Sequence, residues 1–339
     1  MKKILILVFF LTFLSCGSNN HISEQNDNAL VTGDLAKSFA NTITAADLKD
    51  HLYIIASDEF EGRETGEAGQ KKAAEYLKNF YISQGIASPF GGDDYFQDIP
   101  TEYLKSNLNP SENIVAFIQG TEYPNEIVIV SSHFDHLGRR TEEIYNGADD
   151  NGSGTVAVMK IAEAFQKAVE SGNGPKRSIL FLHVTAEEKG LLGSKYYVNF
   201  PVFPLENTVT NLNIDMIGRV DVAHKDNPNY VYVIGADKLS TELNSISENI
   251  NTEFTQLELD YKYNDDSDPN RYYYRSDHYN FAKNNIPVIF YFNGTHEDYH
   301  RTSDTPDKIN YQLLEKRTQL VFYTAWEVAN REKRILVDK

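Results

Sequence analysis

The sequence predicts an α/β fold, a three-layer α/β/α sandwich around a mainly parallel, mixed central sheet, and two observations carry the prediction. Short runs dense in β-branched and aliphatic residues recur along the chain, as strands buried on both faces require. Between them lie longer segments whose apolar residues fall at helical spacing. Strands alternating with helices close most simply into a parallel sheet with helices on both faces. With 339 residues, 41% of them hydrophobic and 24% charged, the chain can bury a large core as one large domain or at most two. No internal repeat or long linker divides it, so residues 43–339 are expected to form a single domain.

Taken in order, the chain starts with Lys2 and Lys3 before an apolar run from Ile4 to Leu14, then Ser15, Cys16 and Gly17. A charged start, a short apolar stretch and a small residue at a cut site describe a secretion signal over residues 1–16. The run is too short to span a bilayer. Cys16 is the one cysteine of the chain, and "FLSC" resembles the box at which bacterial lipoproteins are cleaved and lipidated. The expectation is a protein anchored by lipid at Cys16 in a bacterial cell envelope, with the polar stretch 17–42 as a flexible tether. Without a second cysteine, no intrachain disulfide can brace the fold.

Beyond the tether, "LKDHLYIIASDEFEGRETG" and "GQKKAAEYLKNFYISQG" predict two helices around a glycine-rich turn. "EIVIVSSHFDHLG" predicts a buried strand, and Val158, Ile161, Ala162, Phe165 and Val169 mark a helix after Gly154. "RSILFLHVTAEE", "TNLNIDMIG", "YVYVIGA" and "IPVIFYF" predict further strands, with a helix after "STELNSISENI". Leu314, Val321, Ala325 and Val328 lie on a closing helix.

In such sheets the reactive residues gather at the carboxyl ends of the strands. That is where the acids and histidines fall: His133 and Asp135 after one strand, Glu187 and Glu188 after the next, Asp215 after a third, and His300 in the loop after the last. Asp149 and Asp150 stand in "YNGADDNGSG" before a helix, whose free N–H groups favour negative charge. Alone, the Asp doublet reads as a helix cap, the Glu pair as a solvated helix start, Asp215 as a polar strand end, and His133 with Asp135 equally as a surface pair. Together they have the composition of a site for two divalent ions. Asp149, Glu188 and Asp215 supply three negative charges, a bridging hydroxide a fourth, and His133 and His300 neutral nitrogen, which leaves Glu187 free to carry protons.

"SSHFDHLG", "NGADDNGSG", "TAEEKGLLGS", "LNIDMIG" and "DYHRTSDTPDKIN" together resemble, in order, the motifs of the co-catalytic zinc aminopeptidases, metallopeptidase family twenty-eight. The likeness runs from about Asp47 to the C-terminus. It implies two zinc ions, with Asp149 bridging them, His133 and Asp215 completing one site, and Glu188 and His300 the other. It further implies Glu187 as general base, Asp135 and Asp150 as supporting acids with Asp135 behind His133, Asp304 behind His300, and a cis peptide bond between the two aspartates. The family's carbonyl-polarising tyrosine precedes a Ser-Asp-His triplet. Here that triplet is Ser276 to His278, with Tyr273 at the best spacing and Tyr274 next to it. The activity implied is removal of N-terminal residues from peptides with a free N-terminus.

Some relatives carry an inserted domain before the first metal histidine, and the stretch from Asp98 to Ser132 is too short to hold one. Glutaminyl cyclases share most of the ligands but insert a tryptophan-bearing segment after the Glu pair, where "EEKGLLGS" runs straight on. A surface receptor built on a dead peptidase would have lost ligands. The net charge of -17 argues against a nucleic-acid partner. His296, Glu297 and His300 also spell H-E-x-x-H, the signature of a helical zinc site. With no aliphatic residue between Gly294 and Pro306 to give a helix a buried stripe, the match reads as a coincidence in a loop that contributes His300 alone.

Overall fold

The structure is a computed structural model that describes residues 30–104 and 108–339. The expected signal, Cys16 and most of the expected tether lie outside the described residues. For residues 30–42 the tether expectation is corrected. Helix α1 (Asp34–Ala40) buries Ala36, Phe39 and Ala40 against the domain. The chain before it is held by Glu327, whose Oε2 accepts the N–H groups of Val31 and Thr32, each at 2.9 Å, and the Thr32 hydroxyl at 2.8 Å.

Ten strands follow: β1 (Phe96–Ile99), β2 (Ser111–Ile118), β3 (Tyr123–His133), β4 (Gly138–Arg140), β5 (Glu143–Tyr145), β6 (Arg177–Val184), β7 (Thr208–Ile214), β8 (Tyr230–Ile234), β9 (Glu258–Asp260) and β10 (Val288–Phe292). Eight of them form one sheet in the order β1-β2-β6-β3-β7-β10-β8-β9, while β4 and β5 make a separate hairpin. The centre, β6-β3-β7-β10, is parallel throughout. β1, β2 and β8 join antiparallel, which makes the sheet mixed as expected.

The alternation of side chains across a strand sorts the core into two layers. Val128 and Val130 of β3 face helices α1, α2 (Ala45–Ile55), α3 (Ala68–Ser83), α4 (Gly154–Glu170), α6 (Thr241–Ile250) and α8 (Tyr311–Asn330). Ile127 and Ile129 of the same strand face α5 (Leu192–Asn199) and α7 (His278–Ala282). The chain therefore has the predicted three-layer α/β/α architecture. Both predicted N-terminal helices and the closing helix are present. The helix expected after "STELNSISENI" instead occupies that stretch as α6, because Ser240 caps its first turn by accepting the N–H of Leu243 at 3.1 Å. Among the described residues no helix is long and apolar enough to cross a membrane.

Candidate functional site

Because β3, β6, β7 and β10 run parallel, their carboxyl ends lie on one edge, and the loops that leave them converge there. His133 is the last residue of β3. Its Nδ1 lies 3.1 Å from the carbonyl oxygen of Asp135, which can only accept, so Nδ1 carries the hydrogen and Nε2 is left to face the site. That Nε2 is 3.4 Å from a carboxylate oxygen of Asp150 and 3.4 Å from one of Asp215. Asp215 follows β7 and is oriented by the Ser276 hydroxyl, which donates to its other oxygen at 2.6 Å. On the far side of Asp150, His300 Nε2 lies 3.1 Å from Asp150 and 3.3 Å from Glu188. His136 Nδ1 lies 3.0 Å from Glu188 and 3.7 Å from Asp150. Two clusters result, His133-Asp150-Asp215 and His136-Asp150-Glu188, in each of which the donor atoms lie within 4.8 Å of one another. Asp150 belongs to both.

This reverses the expected roles of the doublet. Asp149, expected between the metals, turns its carboxylate away from both clusters: it accepts the N–H of Gly218 at 2.7 Å and lies 3.2 Å from His296 Nε2. Asp150, expected as a supporting acid, occupies the shared position. The cis peptide bond falls between Asp150 and Asn151, not between the aspartates. The turn is held from below by Asn151, whose amide donates to Ile214 O at 2.8 Å and whose Oδ1 accepts Gly154 N at 2.9 Å. It requires glycine at 147, where φ is +55° and a Cβ would stand 2.1 Å from the carbonyl oxygen of Asp150. Asp304, expected behind His300, lies behind the doublet instead and accepts the N–H groups of Asp149 at 3.0 Å and Asp150 at 3.1 Å.

Three further placements differ from the sequence reading. Tyr273 packs against Tyr274, His278 and Tyr279 and does not line the site cavity; Tyr272 and Tyr299 do. The left-handed backbone at Arg271 starts a short helical turn that swings the three consecutive tyrosines in different directions, a feature their spacing does not encode. His136 was missed, although the second histidine of "HFDH" was the available signal. His296 is no bystander, since it is buried against Asp149, while Glu297 points into solvent. The loop carrying them runs through turns, as expected, and His300 has a left-handed φ of 57°.

Asp135 supports two neighbours at once. Its Oδ1 accepts the N–H of Glu187 at 3.1 Å, its Oδ2 accepts the Thr65 hydroxyl at 2.8 Å, and its carboxylate is 3.7 Å from His133 Nδ1. Glu187 is outside both clusters but borders the same cavity. Burial, reinforced by Asp215, Glu188 and Asp277, raises its carboxyl well above the usual range despite the pull of His133. Glu188 behaves oppositely: against burial and Asp150, the imidazoles of His136 and His300 beside it hold it down to about 2. Burial opposes the charged form of His300, but Asp150 and Glu188 raise it to about 10. Two adjacent carboxyls thus stand in opposed environments, one favouring the proton and the other the charge.

The cavity is open to solvent and places these acids against a wall of Met216, Tyr272, Phe290, Phe292 and Tyr299, with Arg275 also lining it. Both ring nitrogens of His136, Asp150 Oδ2 and Glu188 Oε1 are buried with no hydrogen-bond partner among the described residues. Buried polar atoms are rarely left so. Imidazole and carboxylate donors converging on one acid are a set that suits zinc, and the unsatisfied oxygens of Asp150 and Glu188 are those a metal would take up.

Comparison with known proteins gives a family and a fold. Residues 113–325, more than half of the chain, match the model described as peptidase family M28. The leupeptin-inactivating enzyme 1 of Streptomyces exfoliatus is 27% identical over 308 residues, covering 84% of this chain and 62% of the relative, so the chain spans less than two thirds of that relative's length. The LapA aminopeptidase of Legionella pneumophila superposes with a TM-score of 0.70 at 20% identity, over 98% of this chain and 81% of that one. A zinc aminopeptidase of Bacillus subtilis gives 0.65 at 16% identity, covering 87% and 98%. A glutaminyl cyclase of Porphyromonas gingivalis gives 0.64 at 18%, covering 84% and 98%. At these identities the structural likenesses establish a shared fold.

Proposed function

The chain belongs to peptidase family M28, and from that membership we propose that it is a zinc-dependent aminopeptidase acting on peptides with a free N-terminus. The observation that carries the reading is Asp150, one carboxylate shared by two clusters of metal-type donors, with the protonatable Glu187 beside them. His133, Asp150 and Asp215 would hold one zinc, and Asp150, Glu188 and His300 the other, with His136 against Glu188. When bound, the pair would supply Lewis acidity to the substrate carbonyl and lower the pKa of water.

The chain's own residues then do the rest. The aromatic and thioether wall of the cavity receives an apolar N-terminal side chain. Glu187, held through its N–H by Asp135, accepts a proton from water and returns it to the departing amine, the two halves of general acid–base work. Tyr299 replaces Tyr273 as the hydroxyl offered to the carbonyl oxygen. It lines the cavity, stacks on His300 with ring centroids 3.9 Å apart, and is buried near enough to Asp150 and Glu188 that they add to burial in keeping its proton on. A donor that stays protonated in an acidic pocket suits an oxygen that gains negative charge.

The test uses zinc-loaded protein and three peptides: one free at both ends, one acetylated at its N-terminus and one amidated at its C-terminus. The free and the amidated peptides should lose their first residue, and the acetylated one should stay intact. Equal cleavage of the acetylated peptide would replace this reading with an endopeptidase. Cyclisation of an N-terminal glutamine without hydrolysis would replace it with a glutaminyl cyclase.

A further inference from the structure

We propose that the segment Arg63 to Thr65, which lies outside the stretch matched by the family model, is a positioning element of the metal centre, with Arg63 tying together the two loops that carry His133, His136 and Asp150. The inference rests on the two-cluster reading of the site. Arg63 is fully buried, has a left-handed φ of 52°, and makes four hydrogen bonds, all to backbone carbonyls. Nε donates to Phe134 at 2.8 Å, Nη1 to Ile55 at 2.8 Å and to Asn146 at 2.7 Å, and Nη2 to Gly147 at 2.9 Å. Phe134 directly follows His133, and Asn146 and Gly147 lead into the Asp doublet. In the other direction the Arg63 carbonyl accepts the N–H of His136 at 3.1 Å.

Its neighbours continue the brace. The Thr65 hydroxyl donates to Asp135, the same carboxylate that accepts the N–H of Glu187, and Glu64 accepts Lys189 Nζ at 2.8 Å, one residue past Glu188. Every segment that brings a donor to the two clusters, except those of Asp215 and His300, thus touches residues 63–65.

A buried arginine that only filled space would be a poor choice, since burying a charge is costly and an apolar side chain would fill the same volume. A guanidinium offers rigid, forked donors that fix several carbonyls at set angles, which neither lysine nor an aliphatic chain can copy. Burial lowers Arg63 only to about 10, and Asp150, Asp304, Asp135 and Glu188 favour its charge, so it remains a cation amid the acids.

The experiment compares wild type with Arg63→Lys, Arg63→Met and Thr65→Val by titrating metal-free protein with cobalt(II), recording the visible spectrum of the bound ion and the melting temperature of each chain. Thr65→Val is nearly isosteric, so it keeps the test open if the Arg63 variants fail to fold. Cobalt affinity should fall by roughly 10 to 100-fold in Arg63→Met, the usual effect of losing a group that orients metal ligands, with Arg63→Lys recovering part of it. In folded Thr65→Val the cobalt spectrum should shift. Variants that melt lower but bind cobalt with wild-type affinity and spectrum would reduce Arg63 to a structural residue and overturn the inference. A wild-type chain that binds no cobalt would instead overturn the functional reading itself, and this inference with it.

Discussion

At the scale of single residues, two adjacent glutamates and two adjacent aspartates stand in different surroundings, and the tasks proposed for them separate experimentally. In Glu187→Gln the metal content should stay at the wild-type value while turnover falls by roughly 10² to 10⁴, the range for general acid–base work. Elemental analysis beside steady-state rates checks this, and lost metal or near-normal turnover would refute the role. A second prediction concerns His183 and His278, which burial lowers from 6.5 to about 3. Both are neutral in the folded chain. The unfolded chain takes up protons there below about 6.5 while the folded chain does not until about 3, so their contribution to stability is full above that window and is lost as pH falls through it. His278 stacks on Phe290 with centroids 4.8 Å apart, so His278→Phe should keep the packing and flatten the fall of the urea midpoint between pH 7 and 4. An unchanged slope would contradict it. The sequence led to His133, Glu187, Glu188 and Asp215 because each stands at or just after a strand end, a position that hydrophobic pattern exposes, and to His300 because it lies in the loop after the last strand. It could not rank Asp149 against Asp150, since two identical neighbouring side chains are told apart only by backbone torsions. His136 and Tyr299 were overlooked because each sits beside a residue that had already been assigned.

At the scale of elements, the parallel centre of the sheet was legible because β3, β6 and β10 each carry a continuous apolar run, as strands buried on both faces do, while β7 alternates apolar and polar residues. The antiparallel strands β1, at the sheet's edge, and β2, between β1 and β6, were not, because their pairing is set by contacts distant in sequence that no local period announces. Helix α1 was hidden for a similar reason: it is short, and its place depends on Glu327, nearly 300 residues away in sequence. That dependence is testable. Glu327 is fully buried, and replacing it with leucine would leave the N–H groups of Val31 and Thr32 without their acceptor. Losing a hydrogen bond to a charged group costs roughly 1.5 to 3 kcal/mol. Glu327→Leu should therefore expose the segment before α2 to limited proteolysis while the sheet and the metal site survive. Proteolysis as slow as in wild type would show that α1 is held by its apolar contacts alone.

At the scale of the whole molecule, the fold gathers the candidate site at the carboxyl edge of the sheet, and the chain's own loops shape it. The lipid anchor at Cys16 is a proposal of the sequence: full-length protein should partition with membranes, and Cys16→Ala should release it or leave an uncut precursor, whereas unchanged membrane association of the variant would remove the anchor from the account. The central claim is that one carboxylate, Asp150, joins two metal sites, and its most direct test is the zinc stoichiometry of three purified proteins, wild type, Asp150→Asn and Asp149→Asn. The account predicts two zinc ions per wild-type chain, loss of tight binding at both sites in Asp150→Asn, and two ions retained in Asp149→Asn with affinity weakened by no more than roughly 10 to 100-fold. Two tightly held ions in Asp150→Asn, or their loss in Asp149→Asn alone, would contradict it.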